Sequence, residues 1–261
     1  MNAGYRAEPR HCHSECGIRS RSVLALNRIW PPSARRLNND IIGWHVGVIG
    51  TTYAVILAFL LSGVWANFEG ASNNAEVEAN GLVSVFRLSN GLPSPVRESI
   101  QRLCRRYADV MVNEEWPAMY RGTLSPESFQ VTQQLWNTVT SARLQSASEQ
   151  TSMNRLISEL TNMTEHRRIR QSQSRSKLPG LLWAVLLIGG MITISYSCLF
   201  GIENFLLHAL HVVALSLMIS LVLVTIADID QPFRGGVHVS PSGFDFANET
   251  FTARSSTVES E

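Results

Sequence analysis

Three stretches of this 261-residue chain contain no Lys, Arg, Asp or Glu: residues 41–66, 178–202 and 204–227. About 20 apolar residues suffice for a helix to cross the hydrocarbon core of a bilayer. A soluble helix of that length keeps one charged face toward water. The pattern therefore predicts an all-α integral membrane protein with three transmembrane helices, over 37–66, 178–202 and 204–227. Charged residues make up only 16% of the chain, against about 25% in soluble domains, and these blocks account for the deficit.

The rest of the chain divides around the spans. Residues 1–36 hold seven Arg and two Glu with no periodic apolar pattern, and read as a disordered or non-native leader. Residues 67–177 read as a cytoplasmic bundle of four amphipathic helices, and 228–261 as a cytoplasmic tail. Phe68, Ala71, Ala75, Ala79, Leu82 and Phe86 keep a helical period, so the first span is expected to continue as one long helix. Ser94-Pro95 and Ser125-Pro126 each pair a cap residue with a proline at a helix start. The stripes that follow are Val96, Ile100, Leu103, Tyr107, Val110, and then Phe129, Leu135, Trp136, Val139, Ala142. The first of these helices is expected to stop near Trp116-Pro117. A last stripe, Met153, Leu156, Ile157, Leu160, Met163, fades into "HRRIRQSQSRSK".

Arg167, Arg168, Arg170, Arg175 and Lys177 precede the second span, and basic residues at that place favour the cytoplasm. This orientation puts the bundle and the C-terminus inside the inner membrane and the arginine-rich N-terminus outside. An additional spanning helix upstream would remove the conflict. Within the spans, Gly43 and Gly47, and then Gly189, Thr193 and Ser197, recur at four-residue spacing. Such rows let membrane helices pack closely.

Several motifs are weighed and set aside. The net charge of +1 excludes the basic surface of a nucleic-acid binder. "HCHSEC" (His11–Cys16) has thiol and imidazole groups but no second ligand cluster, so no metal or cofactor is expected. The chain has no nucleophile elbow, phosphate loop or HExxH and is read as non-enzymatic. Glu114-Glu115 are adjacent on a helix and would not converge on one substrate atom. His45, His208 and His211 are the ionisable groups within the spans, read mainly as interfacial anchors or interhelical hydrogen-bonding groups.

Four local patterns, in order, carry a resemblance: "YAVILAFLLSGVWANFEGA" (53–71), "RLSNGLPSPVRESI" (87–100), "YADVMVNEEWPAM" (107–119) and "DIDQPFRGGVHVSP" (228–241). Together they resemble the uncharacterised bacterial membrane proteins classed as bestrophin-like. The matching positions include Trp65, Phe68, Pro93, Glu115, Trp116, Pro117, Asp228, Asp230, Pro232, Phe233, Arg234 and Gly235. The resemblance implies a fourth, upstream span, and more distantly a pentameric anion channel whose pore helix ends in aromatic residues. It would make the first span the pore wall, lined by Tyr53, Leu57, Leu60, Leu61 and Val64. The calcium clasp of bestrophins is not carried over, because Asp228 and Asp230 precede Pro-Phe here rather than follow it. Asp228 and Asp230 are expected to be solvated or to pair with Arg234 or the basic cluster. The expected function is therefore a homo-oligomeric ion channel in the bilayer. The alternative is a non-conducting membrane scaffold or sensor that binds a cytoplasmic protein partner.

Overall fold

A computed structural model describes residues 35–258. The leader and its Cys12 and Cys16 lie outside them. Among the described residues every regular element is helical. They form two compact units, one of residues up to 62 with 178–226, the other of 63–177 with the residues from 227 onward.

Helix α1 (Asn39–Leu88) supplies the first span and runs on without a break for 50 residues. In the first unit it is accompanied by α6 (Gly180–Cys198) and α7 (Phe205–Ile229). All three helices are long and apolar enough to cross a membrane. Packing of α1 on α6 centres on Tyr53, which is buried and donates its hydroxyl to Leu186 O at 2.9 Å. A Cβ at Gly189 would stand 2.6 Å from the Tyr53 ring, so the contact requires a residue without one. A Cβ at Gly43 would lie 3.8 Å from the Phe200 ring, whereas one at Gly47 would meet no other part of the chain within 4 Å. Thr193 is buried and donates to Gly189 O at 2.8 Å. Ser197 is buried too, and its carbonyl lies 3.4 Å from His208 Nε2. His211, three residues on, is exposed. His45 rests its Nδ1 on Ile41 O at 2.8 Å and stacks on Tyr196.

The start of α1 is tied to the turn between α6 and α7. Arg35, fully buried, donates to Cys198 O at 3.0 Å. Gly201 N donates to Asn39 Oδ1 at 2.9 Å, and Arg36 pairs with Glu203. Two of the leader's seven arginines are thus neutralised or enclosed by local contacts.

The second unit holds the core. Its wall is the later half of α1, which buries Ala71, Ala75, Ala79, Leu82 and Phe86, with Phe68 half-buried. Against it lie α2 (Ser94–Val110), α4 (Pro126–Thr140), α5 (Ala147–Gln173) and α8 (Ser242–Val258). Helix α5 opens with a capping box, Ser146 reaching Glu149 N and the Glu149 carboxylate returning to Ser146 N. That motif satisfies two orphan donors at once.

Four expectations change. The segment read as a tail contains α8, whose Phe244, Ala247 and Phe251 are buried in the core, Phe251 stacking on Phe86 at 4.3 Å. Phe129, placed in a buried stripe, is 59% exposed. Helix α2 does not stop at Trp116-Pro117: it passes through a π-helical turn, Met111–Glu115, straight into α3 (Trp116–Arg121). Pro117 follows that π turn directly, one residue into α3. Finally, α5 does not fade after Met163 but continues to Gln173, burying Arg167 and Arg170.

Candidate functional site

The apolar face of α1 over the span is open to a degree unusual for a folded helix. Only 6% of its most apolar window is buried, against 22% in α6 and 28% in α7. Trp44, Val48, Val55 and Phe59 are exposed on it, and a shallow groove runs along Gly43, Trp44, Gly47, Val48, Thr51 and Thr52. A Cβ added at Gly47, Gly50 or Gly63 would meet no other part of the chain within 4 Å.

The residues expected along a pore lie on the more covered face of α1. Tyr53, Leu57, Leu60 and Val64 follow a 4-3-4 spacing and so share one face. Tyr53 and Val64 are each 5% exposed, while Leu57, Leu60 and Leu61 are half-buried. This face is turned into the chain, because Tyr53 is needed against Gly189 and Gly190. The opposite face, with Val48, Thr52, Val55 and Phe59, is the uncovered one. Trp65 stacks on Phe68 at 5.9 Å and stays half-exposed.

In the second unit a buried polar network lies between α1 and α5. Arg170 is fully buried and donates through Nε to Glu78 Oε2 at 2.6 Å and through a terminal nitrogen to Oε1 at 3.2 Å. Tyr107 on α2 donates its hydroxyl to the same Oε1 at 2.5 Å. Glu115 stands 3.7 Å from Arg170 and is also fully buried. Its carboxylate accepts from Ser125 N at 2.7 Å, Ser128 Oγ at 3.0 Å and Gln171 Nε2 at 3.2 Å. Arg167 donates to Thr132 and Ser128, which links it to Glu115 through a shared hydroxyl. Two buried cations thus face two buried anions.

The electrostatics follow from that pairing. Burial opposes the charge on Arg170, but the Glu78 carboxylate outweighs it and holds the guanidinium above its ordinary pKa. Burial, then the charge of Glu78 and its hydrogen bond, push the Tyr107 phenol well up. The Cys104 thiol is likewise held far above its usual range by burial, which suits a core residue and not a reactive one.

The extra residue of the π turn explains why Glu114 and Glu115 behave unlike an ordinary adjacent pair. Glu115 turns inward while Glu114 stays exposed, yet both reach Ser125, one through its N–H and the other through its hydroxyl at 3.1 Å. The next residue, Trp116, donates Nε1–H to Val239 O at 2.9 Å. Its ring meets Phe233 and Phe244 edge-on, and the Arg170 guanidinium lies 5.0 Å from it. Pro117 is exposed, and Pro93 caps the start of α2.

The chain beyond α7 is fixed by Asp228. Its two carboxylate oxygens accept from Gly236 N at 2.8 Å and Val237 N at 2.9 Å. Arg234 donates to Met119 O at 3.3 Å and Gln231 Oε1 at 3.0 Å. Asp230, rather than being solvated, is buried, as are Pro232 and Phe233. Gly235 has φ +87°, and a Cβ there would stand 2.6 Å from the Asp228 carboxylate. Among the described residues no group of three His, Cys, Asp or Glu side chains is placed to hold a metal.

A family model described as "Bestrophin-like domain" matches residues 16–244. The fold is similar to that of a bacterial bestrophin homologue from Klebsiella pneumoniae carrying a point substitution. The TM-score is 0.68 at 11% identity, over 91% of this chain and 97% of that one. Another variant of the Klebsiella homologue gives a TM-score of 0.66 at 12% identity, over 95% and 98%. A further structure, described as a membrane protein, gives 0.65 at 12% identity, over 91% and 97%. No curated protein sequence matches the chain.

Proposed function

The chain belongs to the bestrophin-like family, and from that premise we propose that it is a homo-oligomeric ion channel with α1 as its pore helix. The observation that carries this reading is the uncovered span of α1, 6% buried where its neighbours are three to five times more so. Lipid alone would not favour open glycines at Gly47, Gly50 and Gly63, whereas close packing of a second helix would. A single copy has too few spans to enclose a pore, so the uncovered face is completed by further copies of this chain, five of them if the bestrophin pattern holds.

The conducting surface is the face bearing Val48, Thr52, Val55 and Phe59. It carries no ionisable side chain, and the apolar narrowing at Val55 and Phe59 gates by dewetting. The favoured permeant ion is an anion, with the second unit and the C-terminus on the cytoplasmic side of the inner membrane. Purified protein in planar bilayers under a chloride gradient tests the reading. A current reversing near the chloride potential, enlarged in Phe59→Ala, is expected. Silent bilayers from intact oligomer would turn the assignment to a membrane scaffold that binds a cytoplasmic partner.

A further inference from the structure

The seam between α1 and α5 is built differently from the rest of the core. Within this core the other buried residues of α1 are Ala, Leu, Val and Phe, but toward α5 it presents Gly70, Asn74, Glu78 and Gly81, one row at spacings of four, four and three. Asn74 Nδ2 donates to Gln173 Oε1 at 3.0 Å, and Asn74 Oδ1 lies 2.7 Å from His166 Nδ1. A Cβ at Gly70 would lie 3.2 Å from Gln173 Nε2, and one at Gly81 would lie 3.0 Å from Met163 Cβ. Between these close approaches sits the fully buried Glu78–Arg170 pair.

Burying charges is a poor route to stability, since desolvation can exceed the attraction and an apolar set of equal volume is often as stable or more so. The best-attested use of a buried polar group between helices is to fix register. Here the geometry suits that use. The two-point contact of Arg170 on Glu78 fixes an angle as well as a distance, and Tyr107 and Glu115 hold the two partners from α2 and the π turn.

We propose that Glu78 and Arg170, steadied by Tyr107 and Glu115, form a register lock that sets the azimuth of α1 about its own axis. An apolar Ala–Leu seam tolerates a slide of one ridge. The lock does not, because any other azimuth leaves two buried charges unpaired. Glu78 and Arg170 are therefore positioning residues. Their bearing on conduction rests on the channel reading, whereas the lock itself does not.

The test uses the full-length protein in detergent with nitroxides on Asn80→Cys in α1 and Asn162→Cys in α5, both exposed, with Cys12, Cys16 and Cys198 replaced by Ser. The unmodified network should give one narrow distance by pulsed EPR. In the apolar variant Glu78→Met/Arg170→Met/Tyr107→Phe, the lock predicts a folded protein whose melting temperature is equal or higher and whose distance splits or broadens. The milder Glu78→Gln keeps the hydrogen-bond partners without the charge and should broaden the distance less. Broadening in either folded variant supports the lock. A single unchanged distance in the apolar variant overturns it. So does an apolar variant that unfolds while Glu78→Gln stays narrow, or loss of folding in both, since the network would then supply stability and not register. None of these readouts needs an ion current, so silent bilayers would remove the channel reading and leave the lock standing.

Discussion

Helix α1 lives two different lives along one continuous backbone. Up to about Ala66 it exposes Trp44, Val48, Val55, Phe59 and Trp65, touching its own chain mainly through Tyr53 and Val64. From Ala71 to Phe86 it forms the wall of a core in which Leu82 and Val85 are wholly buried. The backbone and helical period are the same, so the difference lies in what the rest of the chain offers. The later half has four other helices around it. The earlier half has its own chain on one side only, through contacts such as Tyr53 on Gly189, and leaves the other side to lipid or to another copy. A span that is nearly bare in the folded chain is thus informative where a bare soluble helix would be a fault.

The contrast yields graded expectations. Removing one member of the buried network should be the most costly change: Arg170→Met leaves Glu78 and Tyr107 facing a void, at about 3–5 kcal/mol, read from denaturant unfolding in detergent. Next comes a matched pair. Leu82→Ala in the buried half of α1 should cost about 2–5 kcal/mol, while Phe59→Ala in the open half should stay within about 0.5 kcal/mol. Equal costs would erase the distinction between the two halves. At the exit of α7, Asp228→Ala deprives two exposed N–H groups of their acceptor and should cost about 0.5–1.5 kcal/mol, with no change in any response to calcium.

The smallest effect concerns pH. The Tyr107 phenol is raised in the folded state, so its contribution is complete below the ordinary phenol pKa, about 10. It is lost as pH climbs toward the folded value. Unfolding followed above that pH should show stability falling with pH, and Tyr107→Phe should flatten the slope.

The sequence made the spans plain because an absence of charge over two dozen residues has few other meanings. It also made the length of α1 plain, through a stripe that never loses period. The network was harder to see, although a signal exists. Met153, Leu156, Leu160, Met163, Arg167 and Arg170 advance by 3-4-3-4-3, so both arginines occupy positions of the buried stripe. Their charge instead counts them with the basic cluster that precedes the second span. Only Arg168, Arg175 and Lys177 remain exposed there. Glu115 gave no such signal, because its inward turn depends on the extra residue of a π turn that no local pattern announces. Leu-rich spacing marks a face of the first span, but only the Tyr53 contact with Gly189 and Gly190 shows which way that face looks. The α8 helix escaped because Phe244, Ala247 and Phe251 are too few to stand out in a polar segment.

The account stands on the claim that the open half of α1 is covered by other copies of the chain. The mass of the purified protein in mild detergent, measured by native mass spectrometry, tests it most directly. A discrete closed oligomer, a pentamer if the bestrophin pattern holds, is the expected result. A monomer that persists at high protein concentration would contradict it, because one copy of these spans cannot surround a pore.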